Sequence, residues 1–251
     1  KGKLVAAAVL ISALAIVACL ALFGEAKLRQ DLDSSVTLGL DYAFKAGYAR
    51  SDEIFLLDQI GKLEKSGAIA ELEAQKLPSI PVDYFFKTFD DTHPFPQEEY
   101  DLAKAQYQVA PSVNAATLLL IKSLYCKEIG FSDADMSLVG GSGYSLTHSL
   151  AALIFLKQRG CYDQETVDST IADVIKSMVE EQRGDPGQNI DVYAERVAML
   201  QYAGYKVDGT WIQKIIDSQN SDGGWGAAQG MESNTHTTLL ALWALELYRA
   251  T

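Results

Sequence analysis

The sequence predicts an all-α chain of repeated helical hairpins in two layers, preceded by one N-terminal transmembrane helix. Three observations carry this. A 20-residue run without a charge lies near the start of the chain. Similar helix starts recur beyond residue 110 with a period of roughly forty-odd residues, the size of a helical-hairpin repeat. Helices apolar on nearly every face alternate with amphipathic ones, and no strand-like run competes with them.

The run from Leu4 to Phe23 comes first. At about 1.5 Å per residue, a helix of that length spans about 30 Å, the hydrocarbon thickness of a bilayer. Lys1 and Lys3 precede it, and a charged run from Glu25 to Asp33 follows. Ile16-Val17-Ala18-Cys19 also resembles a lipobox, in which Cys19 would become a lipidated first residue. Apolar residues continue past it to Phe23, so a retained signal anchor is the expectation and processing to a lipoprotein at Cys19 the alternative. The basic residues do not set orientation: Lys1 and Lys3 stand before the span, Lys27 and Arg29 after it. A short basic N-terminus followed directly by a span usually stays cytoplasmic, which places the domain outside, held by a single pass.

Composition narrows the partners. The 251 residues carry a net charge of −12. Such a surface repels nucleic acid and anionic lipid headgroups, so neither is expected as a main partner. Of three cysteines, Cys19 lies in the apolar run, leaving Cys126 and Cys161. No CxxC occurs, which argues against clustered zinc, iron–sulfur or covalent haem sites. Two separate buried thiols are expected, because free cysteine is among the most buried residue types. A Cys126–Cys161 pair is the alternative if the domain lies outside.

Three zones follow the anchor segment, 1–30. Residues 31 to 77 read as helical, with capping-type residues at Asp33-Ser34 and Ser51-Asp52 and an apolar stripe of Ile54, Leu57, Ile60 and Leu63. Residues 78 to 97 hold Pro78, Pro81, Pro94 and Pro96, which break helices, and five aromatics from Tyr84 to Phe95 that should pack onto the domain. These two stretches make a preamble, 31–109. The repeat domain, 110–251, is almost purely helical. Inner helices are expected near 113–129, 145–157, 190–203 and 235–249, and outer ones over 165–182 and 210–218.

The repeats are visible as text. Ser145-Leu146-Thr147-His148 begins one apolar helix and Ser233-Asn234-Thr235-His236 another. Tyr193-Ala194-Glu195-Arg196 occupies the register between them, and Pro111-Ser112-Val113-Asn114 begins the same way. The helices between, such as 165–182 with Val167, Ile171, Val174, Ile175 and Met178 on one stripe, are half-exposed in character.

Gln219-Asn220-Ser221-Asp222-Gly223-Gly224-Trp225 fits the pattern Q-x-x-x-G-x-W. It resembles the QW repeat of squalene and oxidosqualene cyclases and the related repeats of protein prenyltransferase β subunits. Lys157 to Tyr162 looks like a degenerate copy, with Tyr162 in place of the tryptophan. The resemblance covers about residues 110 to 251. It implies an α/α toroid, partial or complete, whose central cavity takes isoprenoid or other apolar ligands. The catalytic signatures do not carry over. The nearest run to the cyclases' D-x-D-D is Ser132-Asp133-Ala134-Asp135-Met136, which lacks the final acidic pair, and the D-x-C of the prenyltransferase zinc site does not occur. Gln219, Gly223, Gly224 and Trp225 therefore read as turn and packing chemistry: glycine accepts backbone angles that other residues avoid, and the glutamine amide can bond freed backbone groups.

Equivalent positions in a hairpin ring cluster at one rim. His148, Glu195 and His236, with Asn114, are then candidates to face one opening as a catalytic or metal-binding group; no resident cofactor is expected, and a divalent metal is the alternative. The bland reading is that Thr147, Thr235 and Asn234 cap helices while the histidines pack. Asp90-Asp91-Thr92-His93 offers paired carboxylates beside the third histidine, against a turn as the simpler reading. Gly140-Gly141-Ser142-Gly143 lacks the Lys-Ser/Thr of a phosphate loop and reads as a connection. The expectation is a membrane-anchored, non-catalytic binding or scaffolding domain for an apolar ligand or a protein partner. The alternatives are a toroid enzyme acting on a polyprenyl lipid or a polysaccharide through His148, Glu195 and His236, and an accessory subunit of a membrane complex.

Overall fold

Short polar side chains start four of the helices, two of which line the site. Asp163 accepts a bond from the Thr166 N–H, Asn189 from Val192, Asp208 from Thr210 and Asn234 from Thr237. Each satisfies a donor that the first helical turn leaves orphaned. The computed structural model describes residues 24–110 and 115–251 in full, and residues 2–23 and 111–114 as backbone only. In chain order the helices are α1 (Gly2–Lys45), α2 (Ser51–Glu64), α3 (Gly67–Lys76), α4 (Gln97–Val109), α5 (Pro111–Leu124), α6 (Cys126–Ile129), α7 (Asp133–Met136), α8 (Tyr144–Arg159), α9 (Gln164–Gly184), α10 (Ile190–Tyr202), α11 (Gly209–Asp217) and α12 (Thr235–Arg249). A 3₁₀ turn at Tyr84–Thr88 interrupts the proline-rich stretch. The strand content among the described residues is one antiparallel ladder of two-residue strands, β1 (Trp225–Gly226) and β2 (Ser233–Asn234). The chain is all-α.

Burial separates the helices into two kinds. Every residue of α10 from Ile190 to Leu200 is buried, as is every residue of α12 from Thr237 to Glu246. α9 buries only Val167, Val174, Met178, Val179 and Gln182. The inner elements pack in sequence: α5 on α8, α8 on α10, α10 on α12, and α12 on α2. The Tyr84–Thr88 turn touches both α2 and α5, so the series of neighbours returns to its start. Each inner helix carries a partner on its outer side: α4 on α5, α9 on α8 and α10, α11 on α10 and α12, α1 on α12, and α3 on α2. One core runs through most of this, from Leu32 and Val36 of α1 through Leu57 and Ile60 of α2 to Leu239 and Leu242 of α12. Elements on both sides of residue 110 share it.

Several expectations are corrected in detail. Asp33-Ser34 starts no helix, because α1 runs through it; the Ser34 hydroxyl bonds back to the Gln30 carbonyl instead. The helix expected over 113–129 breaks at Tyr125, whose φ of −111° leaves the helical region. Its fully buried ring packs against Phe95, with the Lys87 ammonium over the ring face. Cys126 and Cys161 are not separate thiols but form a disulfide, with Cα atoms 6.1 Å apart across 35 residues. The packing of α6 against α8 brings their ends together. No helix among the described residues is long and apolar enough to cross a membrane. The anchor expected at Leu4–Phe23, with Cys19, falls in the part of α1 described as backbone only, so its side chains lie outside those described.

Candidate functional site

A cavity of about 180 Å³ lies where the inner elements converge, lined from α2, the Tyr84–Thr88 turn, α5, α8, α10 and α12. His148, Glu195 and His236 all line it. They arrive there by one local rule. α8 presents His148, Ala151 and Phe155; α10 presents Glu195, Met199 and Tyr202; α12 presents His236, Leu240 and Trp243. Residues three or four apart, and seven apart, share one helix face. In each helix the ionisable residue stands toward the N-terminal end and a large ring or thioether follows within two turns, about 10 Å along the axis. The cavity is therefore layered, ionic at one level and aromatic at the other.

The aromatic level centres on Phe55 of α2. Its ring makes edge-on contacts with Phe85, Phe155 and Trp243, with centroids 5.6, 6.0 and 6.1 Å away. Tyr202 closes onto Trp243 at 5.1 Å. Such tilted and edge-to-face pairs add about 0.5–1.5 kcal/mol each beyond area burial, so this surface is stiff.

At the ionic level His148 Nε2 lies 3.3 Å from Glu195 Oε1. Burial pushes the His148 imidazole toward its neutral form, but the bond to Glu195 and the fields of Glu195 and Asp52 outweigh it, so its pKa stands above the ordinary histidine value. His236 sits between two carboxylates, Nδ1 3.6 Å from Asp52 and Nε2 3.9 Å from Asp191. Asp52 is held by the Arg50 guanidinium through two N–H groups. Asp191, just behind the cavity wall, accepts from the Tyr144 hydroxyl at 2.6 Å and from the Thr237 hydroxyl. Burial and this bond to Asp191 raise the Tyr144 pKa, keeping the phenol protonated. Asp83 accepts from the Ser51 hydroxyl at 2.6 Å and from the Phe85 N–H. Two buried atoms here have no hydrogen-bond partner, Glu195 Oε2 and His236 Nδ1. Among the described residues, no group of three or more His, Cys, Asp or Glu side chains is placed to hold a metal ion.

Sequence reasoning missed Arg50, Asp52, Asp83 and Asp191. Ser51-Asp52 read only as a helix start, and nothing local says that α2 docks beside α12. The caps assigned at Thr147 and Thr235 are also reassigned. Thr147 bonds back to the Tyr144 carbonyl and Thr235 to the Gly47 carbonyl, leaving Asn234 as the cap of α12. Asn114 lies outside the described side chains. Asp90, Asp91 and His93 diverge. Asp90 caps Thr92, Asp91 pairs with Arg159 at 2.5 Å, and the His93 ring leans on Phe86 and Tyr125.

The Gln219–Trp225 segment stands apart from the cavity. The Trp225 ring is fully buried, and its Nε1–H donates to the Ile215 carbonyl at the end of α11 at 2.7 Å. Gly223 has φ +89°, and a Cβ there would come within 2.4 Å of the Leu38 carbonyl oxygen. The Gln219 amide donates to the Gly223 carbonyl and to the Ser35 carbonyl of α1, at 2.8 and 2.9 Å. These contacts join α11 and α12 to α1. The chain matches no protein-family model, no curated protein and no solved structure.

Proposed function

We propose that this chain is a ligand-binding domain of the α/α-toroid kind, held at a membrane through residues 4–23, whose central cavity takes one small amphipathic molecule. One observation carries the reading: the repeat-equivalent His148, Glu195 and His236 line a single cavity floored by Phe55, Phe155 and Trp243. The closed series of inner neighbours supports the resemblance to the cyclases and prenyltransferase β subunits, and the absent acidic signatures favour binding over their chemistry. Size argues the same way. A dry cavity of about 150 Å³ accepts benzene, so about 180 Å³ holds roughly six to eight non-hydrogen atoms, the end of a polyprenyl chain and not its length. A disulfide belongs in an oxidising compartment and so favours placing the domain outside the cytoplasm. Small amphipaths titrated into the protein should change the emission of Trp243 with saturation, and Trp243→Phe should remove that change while the melting transition stays cooperative. Absence of a saturable signal across a diverse amphipath set would refute the cavity reading.

A second reading is favoured by the two histidine–carboxylate pairs that face one space: an acid–base enzyme, with His148 and Glu195 exchanging a proton with substrate. Turnover of any bound compound, lost in Glu195→Gln without loss of binding, would establish it. Binding with no turnover would leave the first reading standing.

A further inference from the structure

The cavity also carries information about the charge of its occupant. Three carboxylates line it, those of Asp52, Asp83 and Glu195, against one permanent cation, Arg50. Asp52 takes Arg50 in a two-point bond, and Asp83 is occupied by the Ser51 hydroxyl and the Phe85 N–H. Glu195 differs. The residue is 8% exposed, one carboxylate oxygen faces His148, and the other, Oε2, is buried with no partner. A buried carboxylate oxygen without a donor is costly, and the cost is recovered by whatever supplies one. A hydrocarbon ligand would leave that buried oxygen unpaired. An anion would meet it with no uncommitted permanent cation at hand. Below lie the ring faces and edges around Phe55, a surface that attracts cations and accepts methylenes.

We propose that the occupant is a primary alkylammonium, its N–H donors on Glu195 and its hydrocarbon chain on Phe55, Phe155 and Trp243. The inference rests on the cavity being a binding site. An ammonium group has three donors and no acceptor, which suits a site whose unmet atoms include a carboxylate oxygen and an imidazole nitrogen. Its binding also displaces charge. A proton on His148 competes for the same carboxylate, so the ammonium and that proton exclude one another in part. The groups facing His148 are Glu195 of α10, Asp52 and Arg50 of α2, and the Tyr144 phenol of its own helix, with ring centroids 6.3 Å apart. Asp83 of the turn before Tyr84 and His236 of α12 complete the ionisable lining. Because His148 holds its proton above the ordinary histidine value, ammonium affinity should rise as the pH is raised past that value and level off once the imidazole is neutral.

The test uses the full chain in detergent and three probes of one length: hexylammonium, 1-hexanol and hexanoate. Binding is read by titration calorimetry and by the emission of Trp243. Hexylammonium should bind about tenfold tighter than hexanol, or more, the ratio expected when a hydrogen bond gains a full charge. Hexanoate should be the weakest. Glu195→Gln, nearly isosteric, should bring hexylammonium to within about threefold of hexanol, since the charge-assisted bond then becomes a neutral one. Calorimetry near pH 7 in buffers of different ionisation enthalpy should show protons released on hexylammonium binding. Hexanol or hexanoate binding as tightly as hexylammonium to the unaltered protein would overturn the proposal, and that comparison needs no variant to fold. Binding by none of the three would sink the cavity reading itself, and the inference with it.

Discussion

Replacing Trp225 tests whether the Gln219–Trp225 segment is structural. The ring is fully buried, its Nε1–H holds the Ile215 carbonyl, and its far edge faces Gly39 of α1 so closely that a Cβ there would lie 2.8 Å from Cζ3. Trp225→Ala empties a site of the size that costs about 3–5 kcal/mol. Losing the indole bond adds roughly 1 kcal/mol, and not more, because the Ile215 carbonyl keeps the Ser218 N–H as a second donor. The total reaches the lower bound of ordinary domain stability, about 5 kcal/mol, so this variant measures only whether the chain folds. Trp225→Phe is the informative one. It removes roughly three ring atoms and the N–H, for about 2–3.5 kcal/mol. In a chain of this size that corresponds to a fall in Tm of about 5–12 °C. Urea unfolding gives the stability change, and hexylammonium titration of the same sample below its transition gives the binding. Affinity should stay within about twofold, because Trp225 does not line the cavity. An unchanged midpoint with lost binding would refute the structural assignment of the whole motif.

Other consequences are quickly stated. Gly39→Ala gains about 1 kcal/mol of helix propensity, but its methyl would lie 2.7 Å from Leu242 Cδ2 on a fully buried side chain, and overpacking of that kind costs about 1–3 kcal/mol; a net loss is expected in urea, and stabilisation would mean that α1 does not dock there. Reducing the Cys126–Cys161 bridge opens a 35-residue loop and should cost about 4 kcal/mol in the chain-entropy account, seen as a lower melting temperature in dithiothreitol and absent in a Cys126→Ala, Cys161→Ala double variant. Burial and the field of Asp33 push the Glu246 carboxyl up to about 7, while Arg249 is divided among Glu64, Glu246 and Asp33. Its folded pKa thus exceeds its unfolded value near 4.5, so it contributes stability that is complete below 4.5 and lost as pH rises through about 7. Glu246→Gln should flatten that slope and leave the protein about 1–3 kcal/mol more stable than the parent at pH 8, measured by urea midpoints at pH 5 and pH 8. The raised pKa of His148 has the same sign: its stabilisation is full below the ordinary histidine value and disappears as pH climbs through the folded one. In Glu195→Gln the imidazole proton signal should titrate at a lower pH than in the parent, and an unmoved titration would remove Glu195 as its partner.

What could be read in advance was what local chemistry decides. Asn234 before an apolar run marks a helix start without reference to anything distant, and α12 begins directly after it. The disulfide could not be read, because Cys126 and Cys161 meet only through the packing of α6 on α8. Nor could the start of the folded body. The apolar run and the charged stretch after it suggested a boundary near residue 30, yet α1 continues unbroken to Lys45 and buries Leu32 and Val36 against the core.

The ionisable residues of the cavity divide along the same line, and the division explains why part of the site was visible. His148, Glu195 and His236 stand in the first two turns of α8, α10 and α12, and all three line the cavity. Similar helix starts in the sequence thus correspond to three side chains on the wall of one cavity. Arg50 and Asp52 belong to no recognised repeat. They reach the cavity because α2 packs on α12 and fills the inner place between α12 and the Tyr84–Thr88 turn. Their arrival changes the chemistry more than their number suggests. Without α2, His236 would face Asp191 alone, the aromatic level would lose Phe55 and its three ring contacts, and the wall would be open toward α5. The segment that carries no repeat thus closes the cavity and supplies the carboxylate and guanidinium that leave Glu195 as the lining carboxylate with an uncommitted oxygen. Selectivity for the charge of a ligand follows from α2 as much as from the repeats, and Asp52→Asn, which frees Arg50, should weaken the preference for hexylammonium over hexanoate. A preference unaltered in that variant would show that Arg50 does not act on the cavity, and the charge argument would then rest on Glu195 alone.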